Sequence, residues 1–136
     1  MRRFWIVATF ILLWSIAGVA AWYAQSHADL AALSRTDPVA ARAFAAMPGW
    51  AWAAYFIATW SALAGAVALF ARSRHATTCF ALSLAGVVVQ FGWSFLATDV
   101  LASKGPGAAV FPAVIALIAL AELVWSRRLT AAGTLR

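Results

Sequence analysis

The fold class predicted by this sequence is all-α: an integral membrane protein folded as an antiparallel four-helix bundle. Three observations predict it. Hydrophobic residues make up 65% of the 136-residue chain and charged residues 10%, whereas a soluble domain carries about a quarter charged. The apolar residues form four blocks, 4–24, 50–71, 76–97 and 108–126, each of roughly 19 to 22 residues. At about 1.5 Å of helix rise per residue, each block is long enough to cross a hydrocarbon core. Inside these blocks Glu122 is the one formal charge, and none shows the period-two alternation of a membrane β-barrel strand.

The third observation is where the charge lies. Net charge is +6, which in a soluble protein would point to nucleic acid. Here Arg2, Arg3, Arg72, Arg74, Arg127, Arg128 and Arg136 fall at the N-terminus, the second connection and the C-terminus, with no acid among them. Arg35, Arg42 and Lys104 fall in the other two connections, where Asp29, Asp37 and Asp99 cancel them. That asymmetry is the positive-inside pattern and predicts an N-in, C-in topology in a bacterial inner membrane. The arginines are expected to meet anionic lipid headgroups, at about 1 kcal/mol each. Nucleic acid is not an expected partner.

The elements follow in order. Residues 1–24 begin with a basic "MRR" like a signal peptide, but the apolar run exceeds the usual 7–15-residue core of one. The segment is read as an uncleaved first span. The connection 25–49 is expected to hold one or two short amphipathic helices at the outer surface. Ser26 stands three residues before Asp29 as a capping box; Asp37 caps a second helix with Pro38 in its first turn, and Pro48 ends it. Val39, Phe44 and Met47 are placed to dip toward lipid or cover the bundle mouth. "PGWAWAAYF" opens the second span with Trp50, Trp52 and Tyr55 at the membrane–water boundary, level with Trp22 and Tyr23; Trp5 and Trp125 mark the other boundary. These form an aromatic belt or, alternatively, part of a stacking platform. "RSRH" is so short that spans two and three must be antiparallel neighbours. Pro112 falls in the first turn of span four, where its missing N–H costs little.

Helical spacing sorts each span into a bulky side and a slim one. In span two Trp52, Phe56, Trp60, Leu63, Val67 and Phe70 oppose Ala54, Ala58, Ser61, Ala62 and Gly65. In span three Phe80, Leu84, Val88, Phe91 and Phe95 oppose Cys79, Ser83, Gly86, Gln90 and Ser94. Span one offers Ser15 and Gly18, and span four Pro112, Ala116, Ala119 and Glu122. Bulk facing lipid and small residues facing protein is what close helix packing in a bilayer requires.

Two groups of residues are candidates for function. Gln90 must pair its amide inside the bilayer. It is read either as an interhelical hydrogen bond or as the polar centre of a pocket, with Tyr55, Thr59 and Ser94 as partners and Trp93 and Tyr55 as walls. Such a pocket would suit a hydroxylated or amide-bearing solute. Glu122 is read either as the ion-pair partner of Arg72 or Arg74, or as a proton-coupling carboxylate. Asp99 and Lys104 read as solvated loop charges. Cys79 is the single cysteine, so no intrachain disulfide or cysteine-rich metal site can form, and it is expected to act as a small apolar residue. His27 and His75 fall on opposite sides of the membrane and cannot share a metal. The chain has no HExxH, Gly-rich phosphate loop, GxSxG elbow or paired carboxylates, and "SHAD" is adjacency rather than triad geometry. No enzymatic activity, metal or cofactor is expected.

"MPGWAWAAYFIATWSALAGAVALFARSRHATTCFALSLAGVVVQFGWSFL" and the basic tail "SRRLTAAGTLR" together resemble a group of small four-span bacterial inner-membrane proteins often labelled sugar transporters. The likeness runs over spans two to four, on the Pro-Gly-Trp entry, the short Arg-containing loop and "SLAGVVVQF" with Gln90. A fainter resemblance is to DoxX-like membrane proteins. The resemblance implies a small-solute transporter and assigns no site residue. The expected role is thus an accessory or structural membrane protein, working through a second copy or another membrane protein. The alternative is a carrier of a small, sugar-like solute acting as an oligomer.

Overall fold

A computed structural model describes all 136 residues. The chain folds into α1 (Arg2–Ser26), α2 (Leu30–Thr36), α3 (Pro38–Ala46), α4 (Gly49–Phe70), α5 (His75–Ala97), α6 (Val100–Lys104), a 3-10 turn at Pro106–Ala109, and α7 (Val110–Ala131). Four helices are long and apolar enough to cross a membrane: α1, α4, α5 and the Pro106–Ala131 stretch that contains α7. The spans α1 and α7 outrun their apolar blocks because arginine is a good helix former. Arg2 and Arg3 begin α1, and α7 continues through Arg127 and Arg128 to Ala131.

The hairpin α4–α5 is the tightest pairing. Ala51, Ala54, Ala58, Ala62, Gly65, Ala66 and Leu69 are buried along α4, and Ala76, Phe80, Ser83, Gly86 and Val87 along α5. A Cβ on Gly86 would stand 2.7 Å from the Ala54 carbonyl oxygen and 2.8 Å from the Ala58 nitrogen, so the two backbones touch there. The Ser83 hydroxyl donates to the Ala58 carbonyl at 2.6 Å. Between lipid-embedded helices there is no hydrophobic force to speak of. Close van der Waals contact and such hydrogen bonds hold the pair. One expectation fails here: Phe80, sorted to the lipid side, is fully buried. Gly65 makes the room, since a Cβ on it would lie 2.7 Å from the Phe80 ring.

Around this hairpin α1 packs on α4 and α7 on α5, while α1 and α7 do not pack closely along their lengths. Both chain termini lie at one end of the bundle. There Phe4, Ala8, Ile11, Leu69, Phe80 and Leu135 form the apolar core, and the Phe4 and Trp125 rings stand 5.8 Å apart. The C-terminal tail is part of that core. Gly133 takes a positive φ of 80°, a left-handed conformation that glycine adopts without Cβ strain. The Thr134 and Gly133 amides donate back to Leu129 and Thr130, which is a Schellman ending. The reversal turns Leu135 inward, and Arg136 pairs its backbone with Arg72 and Arg74 across the α4–α5 turn.

The opposite end carries α2, α3 and α6. Asp37 accepts from the Ala40 amide, with Pro38 in the first turn of α3, as the sequence predicts. The capping box at Ser26 does not form: Asp29 itself caps α2, accepting from Ala31 and Ala32, and Ser26 closes α1. Met47, Ala41 and Ala43 are buried, so α3 sits against the bundle. Asp99 and Lys104, read as solvated, are paired: Arg42 reaches Asp99 at 3.0 Å and Lys104 reaches Asp37 at 2.6 Å. These pairs tie α3 to the connection between α5 and α7, and being exposed they contribute modestly and are screened by salt.

Two outcomes follow. Gly86→Ala should lower stability in detergent by about 1–3 kcal/mol through overpacking against backbone. Gly92→Ala, where a Cβ meets nothing within 4 Å, should be neutral or stabilising by up to about 1 kcal/mol; chemical unfolding followed by circular dichroism checks both. The Asp37 carboxyl is held below its ordinary range by the Lys104 ammonium, and the Asp99 carboxyl by the Ser103 hydroxyl and the Arg42 guanidinium. A carboxyl lowered on folding stabilises above its unfolded value, about 3.9, and loses that contribution as pH falls through the lower folded value. Amide exchange in α3 should therefore show no loss of protection by this route between neutral pH and about pH 5, then lose protection in stronger acid.

Candidate functional site

A cavity of about 340 Å³ lies among the four spans, beneath α3. Its walls come from the slim faces that the α4–α5 packing leaves over. Gly18 and Ser15 of α1 face it, with Tyr55 and Thr59 of α4, Ser83, Gln90 and Ser94 of α5, and Ala119 and Glu122 of α7. Phe44 of α3 covers the loop end. The side between α1 and α7 is the one that helix packing leaves open, flanked by Trp14 and Phe111.

The two groups that the sequence keeps apart share this cavity. Gln90, Ser94, Tyr55 and Thr59 line it together with Glu122. Trp93 is half-buried but not among the lining residues. Thr59 does not serve Gln90, since its hydroxyl donates to the Tyr55 and Phe56 carbonyls of its own helix at 3.0 and 3.2 Å. That back-bonding is the ordinary resort of threonine within a helix, and it leaves the methyl group facing Gly18. The Ser94 carbonyl accepts from the Thr98 hydroxyl. Trp52 stacks on Tyr55 with centroids 6.1 Å apart and meets Phe44 at 5.9 Å, which fixes the aromatic roof.

Glu122 is 4% exposed, and its Oε1 has no protein partner. The expected ion pair with Arg72 or Arg74 does not form; the two salt bridges of the protein lie at the loop end. The reason is depth. Glu122 lies nine residues before the end of α7 at Ala131, about 13 Å inside by helix rise, whereas Arg72 and Arg74 are exposed in the turn that Arg136 holds. Ser15, 2% exposed, likewise leaves its hydroxyl without a protein partner on the cavity wall. Buried polar atoms in a bilayer ordinarily find partners, and of the three buried side-chain polar atoms without one, Ser15 Oγ and Glu122 Oε1 belong to residues that line this cavity; the third, Trp22 Nε1, does not.

Several cavity residues escape sequence reasoning. Phe91 sorts to the bulky side of its span, and nothing in its spacing separates the edge of a cavity from lipid; Trp14 and Phe111 carry no signal that assigns them to a cavity. Ser15 and Ser83 do carry a signal, being polar members of the slim stripes. At the loop end the Ser26 hydroxyl and His27 Nδ1 are 3.0 Å apart, but Nδ1 also faces the Tyr23 carbonyl at 2.9 Å and Asp29 caps α2, so these residues form no catalytic relay. Comparison of the chain with protein-family models, curated proteins and solved structures finds no match.

Proposed function

We propose that this multi-pass membrane protein takes a small solute into the cavity between its spans and acts as a carrier. The observation that carries the reading is the cavity itself, with Gln90 and Ser94 toward one end and the unpaired Glu122 toward the other. Ligand sites are concave, mainly apolar, and furnished with a few convergent polar groups, and this space has that make-up. The apolar core closes the end that holds the termini, so one bundle holds a pocket rather than a pore, and a complete path calls for conformational change or a second copy. The arginine distribution supports an inner-membrane location with both termini cytoplasmic. The cavity would then face the outer side, and the resemblance to four-span sugar-transporter-like proteins agrees with a carrier.

An accessory role, through contacts with another copy or another membrane protein, has one observation in its favour. Along α7 only Ala119, Glu122 and Ser126 are buried, which leaves most of its circumference to lipid or to a partner helix.

In reconstituted vesicles, a panel of hydroxylated, amide-bearing and amine-bearing solutes should include one taken up faster than by empty vesicles. Gln90→Leu should cut that uptake by about tenfold or more, in keeping with the 1–3 kcal/mol cost of an unmade buried hydrogen bond, with helicity unchanged. Equal uptake by the variant removes Gln90 from the site.

A further inference from the structure

We infer that the solute bears a cationic nitrogen, received by the Glu122 carboxylate in exchange for a proton; this deepens the solute-binding reading and rests on it. Glu122 is almost wholly buried, borders the cavity, and keeps Oε1 without a protein partner. An isolated carboxylate in hydrocarbon is too costly to persist, so the empty site holds the neutral acid. It ionises only when a counter-charge arrives.

The protein does not supply that charge. Along α1 no titratable side chain occurs between Arg3 and Tyr23. In α4 the one titratable side chain is Tyr55, at the other end of the cavity; in α5 it is Cys79, apart from the exposed His75 at the helix start. In α7 itself Arg127 and Arg128 are exposed. The partner of Glu122 therefore comes from outside the chain.

The walls say which kind of cation. Trp14, in the middle of α1, borders the space, and aromatic faces attract ammonium groups, most strongly where water is excluded. A hard metal ion is a poorer fit: it needs about six oxygen ligands, and one carboxylate with two or three hydroxyls falls short. Gln90 and Ser94 are left for the neutral polar part of the solute. The open side between α1 and α7 suits a molecule with an apolar body. The exchange balances: neutral Glu122 and an organic cation become a carboxylate–cation pair plus one released proton, and no bond other than O–H breaks.

The test is calorimetric titration of the purified full chain in detergent with phenyltrimethylammonium, whose charge is fixed, and with its neutral isostere tert-butylbenzene. Buffers of different ionisation heat count the protons. The cation should bind with release of about one proton and tighten roughly tenfold per unit rise in pH while the empty site stays protonated. Glu122→Gln should weaken it at least tenfold and abolish the release, and Glu122→Asp should retain the release, with helical circular dichroism unchanged in both. Equal binding of the two probes, or cation binding unchanged in Glu122→Gln, overturns the inference. If neither probe binds while the solute panel still shows uptake, the charge assignment falls and the carrier reading stands; if both fail, both fall.

Discussion

At Gly86 the backbone of α5 rests on the backbone of α4 at Ala54 and Ala58, and the rest of the bundle is arranged around that contact. In lipid two helices gain little by hiding apolar surface from each other, so they stay together where their backbones come close enough for many short contacts. Glycine and alanine permit that approach, and the Ser83–Ala58 hydrogen bond adds a directional tie. The connection between the helices is a four-residue turn, 71–74, which keeps the pair in register. Since α1 packs chiefly on α4 and α7 on α5 among the spans, meeting each other where Phe4 approaches Trp125, the cavity is what remains between two outer helices that share an inner pair.

The two ends of that cavity are closed by different physics. Where the termini lie, Phe80 occupies the space Gly65 vacates and Leu135 folds back to complete an apolar plug. At the other end, short helices lean on the bundle through aromatic contacts and two exposed ion pairs. Dispersion contacts in a filled core are individually small and collectively large, whereas solvent-exposed ion pairs contribute little and are screened by salt. Glu122 and Ser15, two of the three residues with a buried, unpartnered polar atom, stand between these regions.

Much of the fold was legible in the sequence because a bilayer imposes coarse rules: a span needs about twenty apolar residues and its backbone must bond to itself. The slim stripe of α4 and the Asp37 cap followed from spacing alone. Phe80 went the other way because sorting by size assumes that large side chains have no room inside, and the room came from a glycine on another helix. The absence of an ion pair at Glu122 was not legible either, because α7 runs on past Arg127 to Ala131 and arginine continues a helix nearly as well as leucine does. That Glu122 and Gln90 line one cavity was not legible, since the sequence contains no statement of which faces of α5 and α7 meet. The tail offered Gly133 as a signal for reversal, but what Leu135 would touch depended on three other helices.

The late position of Glu122 in the chain has a bearing on how the protein is made. Chains emerge from their N-terminus, so α1 waits in the bilayer for α4, and α4 and α5 can settle as a finished pair before α7 exists. The carboxyl then enters with the last of the four spans, after the other three helices that line the cavity. A carboxylic acid inserted on a lone segment would weigh against its own partition; appended to an assembled scaffold, it finds the serine- and glutamine-lined recess waiting.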